Sequence, residues 1–172
     1  MKIACLVKYA FDPASLVVDR NKGTIDFERS PKKISEADAN AVEEAVRIKE
    51  KSKNSTVQIF SYGPSEALKP LKELVAMEAD RAYLISDKSY SCRDSFTTAS
   101  ILYEAIRKFG PFDLVIAGHA SEDNYSGAVA LMVAEMLSVP HVAYATKLIV
   151  SPSNDSVIVE RSVDGKVEVL KV

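Results

Sequence analysis

The chain has 172 residues, 47% of them hydrophobic and 27% charged, with 22 Lys and Arg against 24 Asp and Glu for a formal net charge of −2. That is enough chain for one domain with a full core, and a balanced charge with no block of one sign argues against a nucleic-acid surface. Two cysteines, Cys5 and Cys92, cannot build a disulfide framework, the apolar start is too short for a signal peptide, and no apolar stretch is long enough to insert in a membrane, so the chain reads as cytoplasmic.

Lys2-Ile3-Ala4-Cys5-Leu6-Val7-Lys8 is a continuous apolar run between lysines, which predicts a central strand covered on both faces, with Cys5 as a small core residue. From Tyr9 to Ser30, Pro13, the Asn21-Lys22-Gly23 turn and many polar residues predict a long loop with a small hairpin around Thr24 to Phe27. Ser35-Glu36-Ala37-Asp38 has the form of a capping box, in which the Ser35 hydroxyl and the Asp38 carboxylate satisfy orphan N–H groups. Apolar recurrences at Ala41, Val42, Ala45, Val46 and Ile48 then predict a helix from Glu36 to Lys53, with Glu43 and Arg47 as a solvated pair on its outer side.

Thr56 to Tyr62 predicts a second strand, cut by Gly63-Pro64, and a helix follows from Ser65 to about Met77 that Pro70 must kink or split. Arg81 to Ser86 predicts a third strand; the polar segment Asp87 to Arg93 leads into a helix capped near Asp94, with Ser95, Thr97 and Thr98 as capping residues, and Gly110-Pro111 ends it. Asp113 to Ala117 is a fourth strand that Gly118 stops. The loop His119 to Ser126 holds no large aliphatic residue, and Gly127 opens another helical run. A fifth strand is expected from His141 to Val150 after Pro140, and Val157 to Arg161 and Lys166 to Val172 flank Val163-Asp164-Gly165 as a hairpin.

Strands alternating with helices at this spacing predict an α/β fold, a doubly wound parallel five-stranded sheet of order 3-2-1-4-5 with a C-terminal β-hairpin at 151–172, all within a single domain spanning 1–172. The topological switch point falls between the first and fourth strands, where such sheets bind ligands at the carboxyl ends. Those ends are Lys8-Tyr9-Ala10 and Gly118-His119. Ser126-Gly127 stands beside them at a helix start, where exposed N–H groups and a partial positive charge favour a phosphate. The plainer reading, that Ser126 caps the helix and Gly127 packs, stays open at this point.

Catalytic chemistry finds little support. His119 and His141 are the only histidines, and neither stands in a triad motif. The trio His119, Glu122 and Asp123 lacks a second His or Cys at ligand spacing, which argues against a metal. Tyr125 either stacks on a ligand ring or covers the loop. After the first strand the chain reads Lys8-Tyr9-Ala10-Phe11-Asp12 rather than a Ser-Gly-Gly-x-Asp-Ser phosphate loop, so an ATP pyrophosphatase is not expected.

Several segments, in order along the chain, are similar to the β-subunit of the electron transfer flavoproteins. They are Ala4 to Lys8, Ser35 to Ala45, Ser61-Tyr62-Gly63-Pro64, Ala76 to Ala82, Phe112 to Gly118 with Asp123 and Gly127, and Arg161 with Asp164-Gly165. The resemblance implies an adenine nucleotide α-hydrolase-like fold and a non-enzymatic subunit that binds AMP or FAD, paired in a heterodimer with an electron transfer flavoprotein α-like subunit. It also implies contacts to the nucleotide from Tyr9, Ala10, Asp38, Ala41, Tyr62, Gly63, Gly118, His119, Asp123 and Val129, with the phosphate on Ser126, Gly127 and Ala128. The chain departs from the family pattern in ending soon after the hairpin, so it reads as a shortened β-subunit-related protein, and in carrying His119, Ala120 and Tyr125 in the loop. Self-association in place of the α-like subunit, and a stand-alone ATP- or AMP-binding module like the stress proteins, are the competing readings.

Overall fold

The computed structural model describes residues 1–52, 54–87, 94–153 and 155–172. In chain order the elements are β1 (Lys2–Leu6), β2 (Tyr9–Phe11), β3 (Val18–Asp19), β4 (Thr24–Ile25), β5 (Lys32–Ile34), α1 (Glu36–Lys51), β6 (Thr56–Tyr62), α2 (Leu68–Val75), β7 (Arg81–Ile85), α3 (Ser95–Phe109), β8 (Leu114–Ala117), α4 (Ala128–Leu137), β9 (Ala145–Val150), β10 (Val157–Val163) and β11 (Lys166–Lys171). The Asp87 to Arg93 lead-in of α3, beyond Asp87 itself, and Cys92 with it, lie outside the described residues.

Four strands form a parallel sheet in the order β7-β6-β1-β8. The apolar run of β1 occupies its interior because strand alternation sends side chains to both faces and each face is covered. Ile3, Cys5 and Val7 pack with Val57 and Ile59 of β6 against Val42, Ala45, Val46 and Ile48 of α1 and Leu71 and Leu74 of α2. Ala4, Leu6, Phe60 and Tyr62 face Ala99, Leu102, Ala105 and Ile106 of α3 and Val133 of α4. Phe60, fully buried, centres an aromatic cluster with Tyr83, Phe109 and Phe112 at ring separations of 5.2, 5.9 and 5.5 Å.

The expected fifth parallel strand is corrected by the structure. Residues of β9 pair antiparallel with β10 in a three-stranded sheet of order β11-β10-β9, so among the described residues the parallel sheet ends at β8. Tyr144, in the left-handed region at φ 59°, precedes β9. The strand then alternates, with Leu148 and Val150 packed on the α1-side core and Ile149 exposed, the pattern of an antiparallel sheet with one solvated face rather than of a doubly covered strand. The C-terminal hairpin at β10 and β11 is present as expected.

The long loop from Tyr9 holds more pairing than its composition suggests. β3 and β4 make the small hairpin across the Asn21 to Gly23 turn, and β2 pairs antiparallel with β5. Pro70 lies in the first turn of α2, after a separate tight turn at Ser65–Ala67, so the helix is split upstream of it at a position where the missing N–H has no partner to lose.

The start of α3 is capped as its sequence predicts. Asp94 accepts from the Thr97 backbone N–H at 2.9 Å and from its hydroxyl at 2.7 Å. Asp94→Ala removes both, and the expected result is a lower midpoint of urea unfolding; no change would show that solvent replaces the cap.

Candidate functional site

The capping box expected at Ser35 and Asp38 does not form. Ser35 Oγ is buried without a hydrogen-bond partner, and only its carbonyl accepts from Asp38 and Ala39 N–H, at 3.0 Å each. The Asp38 carboxylate turns instead toward the sheet, where Oδ2 accepts from the Lys8 N–H at 2.8 Å and Oδ1 from the Gly118 N–H at 3.0 Å. Lys8 follows β1 and Gly118 follows β8, so one carboxylate from α1 ties together the two strand ends of the switch point. Tertiary partners thus override a local motif. The Glu36 N–H, in the first turn of α1, is met by Glu122 Oε1 of the 118–127 loop at 2.9 Å.

Burial pushes the Asp38 carboxyl up to about 6, against the opposing pull of the Lys8 and Gly118 N–H bonds and the Lys8 charge, while Glu122 pushes in the same direction as burial. Between the unfolded value and that folded value the native state holds the proton more tightly, so the stability Asp38 contributes is fully present below about pH 4 and is lost as pH rises through about 6. In urea titrations from pH 4 to 7, the expected outcome is that Asp38→Asn removes this downward contribution to the wild-type slope. Parallel stability–pH curves for the two proteins would contradict the assignment.

The loop after β8 is cross-linked by its own polar residues. Asp123 Oδ1 accepts from the Lys8 ammonium at 2.6 Å and from the Ser121 hydroxyl at 2.8 Å. Burial alone would raise the Asp123 carboxyl, but these bonds outweigh it and hold it below the usual range. Ser126 donates its N–H to Asn124 Oδ1 and caps nothing; the N-cap of α4 is Gly127, in the left-handed region at φ 61°, with no side chain on the helix start. The plainer reading of Ser126 is therefore corrected, and the first turn of α4 keeps uncovered N–H groups. A Cβ at Gly127 would come within 3.0 Å of the His119 carbonyl oxygen, so the loop and helix approach too closely for a side chain without adjustment.

Between these parts lies a pocket of about 110 Å³, bounded by the ends of β1 and β8, the loop after β8 and the starts of α3 and α4. Of the residues expected to bind a nucleotide, Asp38, Tyr62, Gly118, His119, Ser126, Gly127, Ala128 and Val129 line it. Ala41 faces a separate open groove of about 1650 Å³ along the outer edge of β8, which meets the pocket at Gly118–Ala120 and Ser126–Ala128. Tyr9 packs on the α1-side core, Ala10 is buried in β2, and Gly63 continues β6 with its N–H on the Ile85 carbonyl; none of the three lines the pocket, though Tyr9 and Gly63 directly follow Lys8 and Tyr62, which do. Asp123 does not itself line the pocket but bonds to Lys8 and Ser121, which do.

Sequence reasoning did not name Lys8 as a contact, and it lines the pocket, as does Ser121 of the loop after β8. Lys8 was marked only by its place at the end of the central strand. At the rim, His119 Nε2 and the Tyr125 hydroxyl lie 3.0 Å apart, with Tyr125 68% exposed and the Tyr144 ring 6.4 Å from His119. Among the described residues no cluster of His, Cys, Asp and Glu is arranged to hold a metal ion, and no helix is long and apolar enough to cross a membrane.

The profile of the electron transfer flavoprotein domain matches residues 22–172. Over all 172 residues the chain is 37% identical to the electron transfer flavoprotein subunit beta of Thermoanaerobacterium thermosaccharolyticum and covers 65% of that protein. It is 32% identical over the same length to the caffeyl-CoA reductase-Etf complex subunit CarD of Acetobacterium woodii, again covering 65%. The chain thus spans just under two thirds of the length of these curated relatives. With a family match over most of its length, and with the strand, loop and glycine-opened helix that carried the resemblance standing together at the switch point, this chain belongs to the electron transfer flavoprotein family.

Proposed function

We infer that the chain is a β-like component of an electron transfer flavoprotein, a carrier subunit rather than a catalyst, which binds AMP or the AMP part of FAD as a single nucleotide-binding unit in the cytoplasm. The observation that carries this reading is the uncapped start of α4 at the switch point, where Gly127 holds the left-handed position in a loop of the matched family segment. Ser126, Gly127 and Ala128 would hold the phosphate on backbone N–H groups. Tyr62, Gly118, His119 and Val129 would bound the adjoining part of the nucleotide.

The residues present suit an adenylate phosphate in two ways. A side chain at Gly127 would crowd the His119 carbonyl, which keeps the helix start bare, and Lys8 puts a cation on the pocket wall. The pocket is small beside ligand clefts of about 300 Å³ or more, so the remainder of a nucleotide would lie over the rim near Tyr125. When bound, FAD would supply the redox chemistry; the residues of this chain bind and orient it. An α-like subunit is the partner we propose, supported by relatives whose names are those of subunits of larger assemblies.

The test is to purify the chain without added ligand, denature it, and identify any released molecule by absorbance and mass spectrometry. AMP or FAD is the expected result. Released ATP would favour a stand-alone nucleotide-binding module, and no release together with no uptake of AMP, FAD or ATP would overturn the reading.

A further inference from the structure

Among the described residues around the smaller pocket Lys8 is the one lysine or arginine, and both its backbone and its ammonium are held. Its backbone N–H donates to buried Asp38, which fixes where the side chain leaves the strand. Its ammonium donates to Asp123 Oδ1 at 2.6 Å and to Ser121 Oγ at 3.1 Å. Asp123 is itself fixed by the Ser121 hydroxyl. An ammonium carries three N–H donors, so two are committed to the loop that leads into α4 and one is left over among the described contacts. Both Lys8 and the first residues of α4 line the same pocket of about 110 Å³, so a small anion held there would border on both.

We propose that Lys8 is the residue by which this site distinguishes a phosphorylated adenine nucleotide from its nucleoside. Its remaining N–H meets the phosphate at the start of α4, and Asp123 and Ser121 set the position of the ammonium. The inference rests on the nucleotide-site reading above. The Asp123 carboxylate offsets part of the Lys8 charge, so the contribution comes from a placed, charge-assisted donor in a part-buried setting more than from bulk attraction.

Calorimetric titration of AMP and of adenosine into wild type, Lys8→Met and Lys8→Arg tests this. Lys8→Met keeps the apolar stem and removes the charge. The expected result is a loss of AMP affinity of about ten- to a hundredfold with adenosine affinity unchanged. Lys8→Arg is expected to retain most of the preference for AMP, and added salt to weaken AMP binding more in wild type than in Lys8→Met. Equal losses for both ligands in Lys8→Met, or no loss for either, would overturn the proposal and leave the nucleotide site standing. Wild type that binds both ligands with equal affinity overturns it as well. Wild type that binds neither removes the nucleotide reading and this proposal together. Should Lys8→Met fail to fold, Asp123→Asn is read in its place: a changed AMP affinity with unchanged adenosine affinity supports the proposal, and parallel changes overturn it.

Discussion

Gly118→Ala is expected to destabilise the protein strongly by forcing apart the first turn of α1 and the end of β8. A Cβ at this position would stand 2.5 Å from Asp38 Oδ1 and 2.8 Å from both the Ala37 carbonyl carbon and the Asp38 nitrogen. Two of those atoms are helix backbone, which no rotamer change can move. Either the first turn of α1 draws back from the end of β8 or the strand end tilts away, and in both cases the Gly118 N–H to Asp38 bond is stretched or lost. Overpacking and a weakened bond to a buried carboxylate together amount to about 2–6 kcal/mol. Urea titration reads this directly, and a change within about 0.5 kcal/mol, the range of an ordinary surface substitution, would show that α1 and β8 are not tightly apposed.

Gly127→Asp is expected to abolish nucleotide binding while the fold persists. Asp tolerates the left-handed region better than most residues and is a favoured N-cap, so the helix itself accepts it. The His119 carbonyl oxygen, 3.0 Å from the new Cβ, must give by a few tenths of an ångström. The carboxylate then offers its own oxygens to the N–H groups that would receive a phosphate. Repulsion between unit charges about 5 Å apart at an effective dielectric of about 20 is roughly 3 kcal/mol, more than a hundredfold in affinity. Gly127→Asn, with nearly the same shape and no charge, is the control and is expected to keep measurable binding. Unchanged AMP affinity in Gly127→Asp by calorimetry would remove the phosphate from this helix start.

The parts of the fold that were legible are those whose cause is local or periodic. Ile3 to Val7 announces a doubly covered strand because no polar residue interrupts it, and Ala41 to Ile48 announces an amphipathic helix because its apolar residues recur at helical spacing. The order of β7, β6, β1 and β8 followed from crossover rules applied to those elements. Where long-range partners decide, the sequence was silent or misleading. Ser35 and Asp38 have the spacing of a cap, but Asp38 finds N–H donors at positions 8 and 118, which no local pattern records.

β9 shows the same limit at the level of a strand. Its apolar content suggested a fifth parallel strand, while the exposed Ile149 between half-buried Leu148 and Val150, after three exposed residues, marks a one-sided antiparallel sheet. β2 and β5, three residues each, are too short to show any period. For the site, glycine positions were readable because a strand stop and a helix start each call for one. Lys8 was not, since its partner Asp123 lies 115 residues away in sequence.

We propose that an adenine nucleotide sits between the ends of β1 and β8 with its phosphate on the start of α4. Amide resonances of the isotopically labelled chain, followed by NMR as AMP is added, test it most directly. The largest shifts are expected at Lys8, Gly118, Gly127, Ala128 and Val129, with little movement in β9 to β11. Shifts confined to the groove beyond β8, around Ala41 and residues 139–148, or to the C-terminal sheet, would place the nucleotide elsewhere and contradict it.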